Sequence, residues 1–103
     1  MRRLLLVALV LVCSASFDLL AQDKATLRVY LARHGQTDGN AKGIAQGWTD
    51  TPLNQTGLQQ AADLASRLRG VKLDAIYSST LIRSRTTAEA VAAGQKKVKV
   101  TSL

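Results

Sequence analysis

The chain is poor in the residue types that bind metal ions, form disulfide bonds or stack on nucleic-acid bases. Its 103 residues contain one histidine, one cysteine and only four aromatic residues: Phe17, Tyr30, Trp48 and Tyr77. A structural zinc site takes about four ligands, mostly His and Cys, and a disulfide takes two cysteines, so the sequence argues against both. Stacking of bases needs aromatic side chains interleaved with basic ones, and that pattern is missing.

The first 21 residues have the pattern of an export signal. Arg2 and Arg3 precede an unbroken apolar run, Leu4–Val12, and small residues follow at which a signal peptidase can cleave. The run is shorter than the roughly 20 apolar residues that a membrane-spanning helix needs. We therefore predict a signal peptide over residues 1–21, a domain over residues 22–103, and export to the periplasm or out of the cell.

This N-terminal segment has two other interpretations. A retained membrane anchor is one, because apolar character resumes at Phe17, Leu19 and Leu20 around Asp18. A buried N-terminal helix or strand is the other, and the arginine pair argues against it. The one cysteine, Cys13, also lies in this segment, so the predicted domain has neither a disulfide nor a thiol nucleophile.

The formal net charge of +7 raises the question of an anionic partner. The basic residues do not form one block, although Lys96, Lys97 and Lys99 lie close together near the end of the sequence. With no aromatic residues among them, we predict that the chain does not bind nucleic acid. A phosphorylated substrate or a solvated basic surface accounts for the charge instead.

Beyond residue 25 the sequence alternates between strand and helix patterns. Residues rich in β-formers predict strands, and cap residues followed by an apolar stripe predict helices. Trp48 suggests that the intervening glycine-rich loop is ordered, because an indole normally packs. The predicted elements are a strand over Thr26–Ala32, a loop over Gly35–Pro52, a helix from Thr56 (with Gln59 in a capping box) to Gly70, a strand over Leu73–Ser78, a helix from Ser79 or Thr80 to Gly94, and a strand over Lys97–Thr101.

This order predicts an α/β fold with a parallel sheet. Ligands of such sheets bind at the carboxyl ends of strands. Arg33 and His34 follow the first predicted strand, and Arg83 lies in the first turn of the helix after the second. An arginine fork holds a tetrahedral anion and an imidazole supplies a nucleophilic nitrogen, so the spacing allows all three to surround one phosphate. The alternative for Arg83 alone is a solvated helix residue.

Three motifs resemble those of the histidine phosphatase superfamily, in its phosphoglycerate mutase-like branch. They occur in order over about residues 29–90, and together they are far more specific than the first alone. The resemblance implies the three-layer α/β fold of that branch, of which this chain would hold about three strands. The motifs are RHGQTDGN (33–40), QGWTDTPLNQTGLQQA (46–61) and YSSTLIRSRTTAEA (77–90).

The resemblance implies a catalytic role for three residues. His34 would be the nucleophile that becomes phosphohistidine, and Arg33 and Arg83 would hold the phosphoryl oxygens. The second imidazole nitrogen would donate a hydrogen bond, which we expect to go to a nearby backbone carbonyl and to fix the tautomer. The arginines would offset charge on the transferring group.

The resemblance also implies a substrate-binding role for three residues, and neither a metal nor a cofactor. Asn40 would hydrogen-bond the phosphoryl group, and Gln46 and Gly47 would line the substrate side of the pocket. Hydrogen bonding within the loop is the alternative for Asn40 and Gln46. The other matching residues are expected to serve structure: Trp48, Asp50, Leu53, Gly57, Gln60, Ser78, Ser79, Thr87 and Glu89.

Two parts of the family's active site have no counterpart in these residues. The family has a second histidine in a late strand and a general acid, usually a glutamate, after the third strand. His34 is the only histidine here, and Asp38 is the carboxylate nearest to the motif in sequence. We therefore expect the sequence to be the N-terminal part of a longer or truncated phosphatase, weakly active or inactive by itself, since a general acid contributes roughly 10²–10⁴-fold.

The leading functional prediction is an exported phosphomonoester hydrolase that acts through phosphohistidine. Its substrate would be a phosphorylated small molecule or a phosphoprotein, and it would meet the membrane only through its N-terminal segment. A catalytically incomplete, phosphate-binding remnant is the alternative. A phosphoglycerate mutase is a third possibility within the family, against which the export signal argues.

Overall fold

The computed structural model describes residues 25–103. Two units are distinguished, one ending at Leu31 and one spanning Ala32–Leu103. The predicted signal peptide over residues 1–21 lies outside the described residues. Within residues 25–103, no helix combines the length and the apolar character that crossing a bilayer requires. The helices and strands are α1 (Asp38–Ala41), α2 (Gln55–Leu68), β1 (Ile76–Ser78), α3 (Ile82–Ala93) and β2 (Val100–Ser102).

The two strands form a parallel pair connected by α3. Ile76 lies opposite Val100, and Ser78 lies opposite Ser102. The backbone N–H of Leu103 extends the ladder by donating to the Ser78 carbonyl at 2.8 Å. Parallel strands need a crossover connection, which is usually a helix, and α3 supplies it. The α/β class with a parallel sheet is therefore confirmed.

The predicted first strand, Thr26–Ala32, is wrong for the described residues. Residues 25–36 are assigned to no strand, and Leu27 and Leu31 are 90% and 97% exposed. A run of β-formers gives a segment the propensity for an extended backbone, but a strand forms only when that backbone hydrogen-bonds to a neighbouring strand. The described residues thus contain two strands rather than about three.

Helices α2 and α3 pack against each other, and all but one of their buried residues are small or short. The buried residues of α2 are Gly57 and Ala61, and those of α3 are Arg83, Thr87 and Val91. Each set recurs every four residues, which places its members on one face of the helix. Ala61 of α2 and Val91 of α3 are, with Leu53, the buried apolar residues among those described, so the core of the second unit lies at this helix pair. Gly57 instead faces the backbone of Gln36.

The start of α2 lies two residues before the predicted one. Asn54 is the N-cap, and its side-chain oxygen accepts from the Gly57 N–H at 2.8 Å. Thr56 therefore lies inside the helix, and the capping box expected with Gln59 does not form. Asparagine caps helices at least as well as threonine does, and the backbone N–H of Asn54 is held by the Gln36 carbonyl at 3.0 Å.

A short helix, α1, lies within the predicted loop. Thr37 is its N-cap, and Thr37 and Asn40 form a reciprocal capping box. Thr37 is 0% exposed, and its backbone pairs with that of the buried Leu53 in an isolated antiparallel bridge. The loop is therefore tied to the chain that leads into α2.

The first turn of α3 is capped by a residue distant in sequence. Leu81 occupies the N-cap position without a side-chain hydrogen bond, so neither Ser79 nor Thr80 has the predicted capping role. Instead, the Asp50 carboxylate accepts from the Ile82 N–H at 2.6 Å. A carboxylate at a helix N-terminus satisfies an orphan donor and is favoured by the helix dipole. The predicted end of this helix at Gly94 is confirmed.

Two glycines bring the segment of Arg33–Gln36 against the first turn of α2. A Cβ atom on Gly35 would overlap the carbonyl oxygen of Gly57, and a Cβ atom on Gly57 would overlap the carbonyl oxygen of Gln36. Both positions therefore require glycine for steric reasons, not for an unusual φ.

We expect Asp50→Ala to lower the free energy of unfolding by about 1 kcal/mol, the usual cost of losing an N-cap acceptor. Urea denaturation of the wild type and the variant measures this difference. Asp50→Asn is the matched control, since it keeps the acceptor oxygen and loses only the charge. Equal stability of Asp50→Ala and wild type would contradict the capping role.

We expect Gly57→Ala to destabilise the chain by about 1–3 kcal/mol, because the added methyl group overlaps backbone atoms that cannot rotate away. Helix propensity alone predicts the opposite, a gain of about 1 kcal/mol. Gly70→Ala is the matched control: Gly70 has open space around it and no positive φ, so a gain of about 0.4–1 kcal/mol is expected there. Urea denaturation distinguishes the two outcomes.

Candidate active site

The segment that carries His34 is held by side chains from both packed helices. The Gly35 N–H donates to the Thr87 hydroxyl of α3 at 3.0 Å, and that hydroxyl donates to the Arg83 carbonyl at 2.8 Å. The Gln36 N–H donates to the Gln60 side chain of α2 at 2.8 Å. These bonds fix the backbone directly after the histidine, so its position depends on the packing of α2 against α3.

His34 is half-buried, and its hydrogen bond defines its tautomer. Its Nδ1 atom lies 2.7 Å from the Gly35 carbonyl oxygen. A carbonyl oxygen only accepts hydrogen bonds, so Nδ1 carries the proton in this contact. In the neutral ring Nε2 is then left with its lone pair, which is the arrangement that a nucleophilic imidazole needs. The expected hydrogen bond to a nearby backbone carbonyl is present.

A cavity of about 520 Å³ lies at this histidine. Its polar lining combines a guanidinium group, an imidazole and side-chain amides, which together bind the oxygens of a tetrahedral anion. Its apolar lining comes from Ala32 and from Ala61 and Leu64 of α2. The lining residues are Ala32, Arg33, His34, Gly35, Gln36, Asn40, Gln60, Ala61, Leu64 and Thr87.

Asn40 reaches the cavity from α1 in a defined orientation. Its Oδ1 atom accepts from the Thr37 N–H at 3.0 Å in the capping box. The amide oxygen is therefore engaged with the backbone, and the amide Nδ2 is the end that can donate to an anion. The predicted grouping of Arg33, His34 and Asn40 is present around one cavity.

Arg83 does not line this cavity. It is 7% exposed, and its guanidinium group donates to the Thr49 carbonyl at 2.6 Å and to the Gly47 carbonyl at 2.8 Å. A buried guanidinium needs hydrogen-bond partners, and here two loop carbonyls supply them. Arg83 thus holds the loop that contains Gly47, and its predicted contact with a phosphoryl group would need a different side-chain position.

Gln46 and Gly47 belong to a tight turn beside α1, outside the lining of the cavity. The Thr49 N–H donates to the Gln46 carbonyl at 2.8 Å, and Gly47 has a φ of 51°, a left-handed conformation that favours glycine. The Gln46 side chain accepts from the buried Thr37 hydroxyl at 2.7 Å. Gln46 is therefore connected to Asn40 through Thr37, and its predicted alternative role in loop hydrogen bonding is present.

The expectation that Trp48 orders this loop by packing is wrong. Trp48 is 91% exposed. The turn is held by Arg83 from the inside and by the bond from Asp50 to α3. Because these polar contacts fix the backbone, the turn is ordered while the indole lies outward.

No carboxylate lines the cavity among the described residues. Asp38 accepts a hydrogen bond from the Asn54 side chain at 3.3 Å, Asp50 caps α3, and Glu89 forms an exposed ion pair with Arg85. Each of these acids has a contact elsewhere. Within residues 25–103, no three side chains of His, Cys, Asp or Glu gather into a metal-binding group.

The sequence patterns indicate too small a role for four residues. Gln60 and Thr87 were expected to serve structure, and they do so, but they also line the cavity. Gln36 was not singled out, although it follows Gly35 directly in the first motif and lines the same cavity. Thr37 was missed as well, because nothing in its local sequence indicates full burial.

The family model of the histidine phosphatase superfamily (branch 1) matches residues 29–103. A probable phosphatase of Schizosaccharomyces pombe is 51% identical over 61 residues, which cover 59% of this chain and 29% of that protein. The probable phosphoglycerate mutase GpmB of Escherichia coli is 47% identical over 66 residues, which cover 64% of this chain and 31% of that protein.

Among solved structures, a phosphoserine phosphatase of Entamoeba histolytica in complex with 3-phosphoglyceric acid has a similar fold. Its TM-score is 0.59 at 40% identity, and the match covers 67% of this chain and 34% of that one. The chain thus spans about a third of the length of the relatives it matches. The family match includes the cavity-lining segment from Ala32 onwards, and the chain belongs to the histidine phosphatase superfamily, branch 1.

Proposed function

We propose that this chain provides the nucleophile and part of the phosphate site of a phosphomonoester hydrolase that acts through phosphohistidine. The observation that carries the proposal is the bond from His34 Nδ1 to the Gly35 carbonyl, beside a cavity lined by Arg33 and Asn40. In the neutral ring it leaves Nε2 as the nitrogen with the free lone pair. The similarity to phosphatases and a mutase-like protein supports the same general activity.

The reaction divides into two transfers of one phosphoryl group. Nε2 of His34 attacks phosphorus, the bond between phosphorus and the ester oxygen breaks, and the leaving alkoxide takes a proton. Water then attacks the phosphohistidine and releases inorganic phosphate. Arg33 would hold oxygens of the transferring group by charge-assisted bonds, and the Asn40 amide would donate one more.

The substrate class is a phosphorylated small molecule or a phosphorylated segment of a protein. A cavity of about 520 Å³ lies within the usual range for small-molecule sites, about 300–1,000 Å³. The Entamoeba enzyme is a phosphoserine phosphatase that was solved with 3-phosphoglyceric acid bound, and both names describe small phosphorylated acids. The N-terminal sequence pattern supports export, so we place the activity outside the cytoplasm.

A phosphate-binding function without turnover is the second candidate. It is favoured by two observations: the sequence holds a single histidine, and no carboxylate among the described residues lines the cavity. Without a positioned acid, the proton for the leaving group comes from water, and an alkyl phosphate reacts slowly. An aryl phosphate distinguishes the two candidates, because its phenolate leaves without prior protonation.

We expect the chain to become phosphorylated on His34 when incubated with ³²P-labelled p-nitrophenyl phosphate. The label should be stable to alkali and lost in acid, as expected for a phosphorus–nitrogen bond. Rapid quenching followed by gel analysis measures the labelled fraction.

His34→Ala should abolish the label, whereas Lys72→Ala, which changes an exposed residue outside the cavity, should retain it. Label that survives in His34→Ala would place the nucleophile elsewhere. Binding of phosphate without any label in the wild type would favour the second candidate.

We expect Arg33→Gln and Arg83→Gln to differ in effect. Arg33 is exposed and lines the cavity, so its loss should weaken phosphate binding by about 10–100-fold, as for a charge-assisted hydrogen bond, with little change in stability. Arg83→Gln should lower the free energy of unfolding by about 1–3 kcal/mol, because the Gly47 and Thr49 carbonyls lose their donors. Phosphate titration by calorimetry and urea denaturation measure the two effects; equal stability losses would contradict the separate roles.

A further inference from the structure

The structure brings together two groups of basic residues that are far apart in sequence. The first group surrounds the end of α2 and the second follows α3. The side chain of Gln95 connects them: its Nε2 donates to the Leu68 carbonyl at 3.0 Å, and its Oε1 accepts from the Leu73 N–H at 3.2 Å. The C-terminal ends of the two helices therefore lie side by side.

Six cations lie on the chain next to these contacts, and we call them the basic pole. All six side chains are exposed, and the one ion pair found among the described residues, Arg85–Glu89, involves none of them. Within residues 67–74 and 95–99, which contain these cations, Asp74 is the one acidic residue. The members are Arg67, Arg69, Lys72, Lys96, Lys97 and Lys99.

Helix dipoles explain only part of this concentration of charge. Each helix C-terminus carries roughly half a negative charge, which favours a nearby cation. Two helices therefore account for one or two cations, not six. Lys97 also has a φ of 59°, in the left-handed region that a lysine adopts less readily than glycine or asparagine does. Because the six side chains are exposed and outside the ion pair found among the described residues, their charge can meet an external anion.

We propose that the basic pole binds an anionic lipid surface. Clustered exposed lysines and arginines attract such surfaces without any specific pocket. The pole contains no aromatic residue, so it lacks the side chains that stack on bases in single-stranded nucleic acids. The predicted signal peptide, with Arg2 and Arg3 before an apolar run, would bring the chain to a membrane during export. The basic pole would then add a second membrane contact to that of the N-terminal segment.

The pole is separate from the cavity. None of the six pole residues lines the cavity, whose lining along α2 ends at Leu64, three residues before Arg67. Binding at the pole therefore does not need the residues assigned to phosphate chemistry. The proposal stands independently of the proposed function.

The full chain is labelled with an amine-acetylating reagent in the presence of vesicles, and each lysine is read by mass spectrometry. Vesicles of phosphatidylcholine with 30% phosphatidylglycerol are compared with pure phosphatidylcholine, which controls for insertion of the apolar N-terminus. We expect at least threefold slower labelling of Lys72, Lys96, Lys97 and Lys99 on the anionic vesicles only. Lys42, exposed but outside the pole, is the internal control, and salt of about 0.5 M should remove the protection.

A matched pair of variants tests the same surface by co-sedimentation. Lys72→Gln/Lys96→Gln/Lys99→Gln should lose at least tenfold in partition onto anionic vesicles. Arg28→Gln/Lys42→Gln/Arg85→Gln removes the same charge elsewhere and should change partition less than threefold. Equal losses in both variants, protection of Lys42 equal to that of the pole, no protection at all, or protection by duplex DNA but not by vesicles would each overturn the proposal.

Discussion

The close approach of Gly35 and Gly57 is the contact on which the arrangement of the site depends. It lets the backbone before α1 lie directly on the first turn of α2. From there, Thr87 reaches the Gly35 N–H and Gln60 reaches the Gln36 N–H. A Cβ atom at either glycine would overlap backbone atoms of the other segment, so the two segments would have to move apart. The orientation of His34 therefore depends on the lack of side chains at Gly35 and Gly57 as well as on the hydrogen bonds.

Two arginines of the motifs illustrate how burial changes the use of one chemical group. Arg33 is exposed and lines the cavity, where its charge can meet an anion from solvent. Arg83 is buried, and burial forces its donors to find acceptors within the protein. Those acceptors are the carbonyls at either side of Trp48. The spacing of the two arginines predicts that both approach one phosphate. It cannot show that the Gly47 and Thr49 carbonyls compete with a phosphate for the donors of Arg83.

The parts of the fold that depend on local sequence could be predicted. The helix α2, the end of α3 at Gly94 and the α/β order all follow from patterns within about 15 residues. The capping of α3 by Asp50 could not, because donor and acceptor are 32 residues apart. Propensity predicts a strand at Thr26–Ala32, but it does not show whether a neighbouring strand is available to hydrogen-bond with that backbone. In the site, the motif located His34 and Asn40, whereas the roles of Thr37 and Gln60 depend on tertiary contacts.

The lining of the cavity comes from three separated parts of the chain: residues 32–40, residues 60–64 of α2, and Thr87 of α3. None of these parts alone encloses it, so the cavity exists only when both helices are packed. Occupation of the cavity and folding of the second unit are then thermodynamically linked. An anion present at about 100 times its dissociation constant would stabilise this small unit by about 2.7 kcal/mol. For a core built on so few buried side chains, the ligand would itself be a substantial part of the stability.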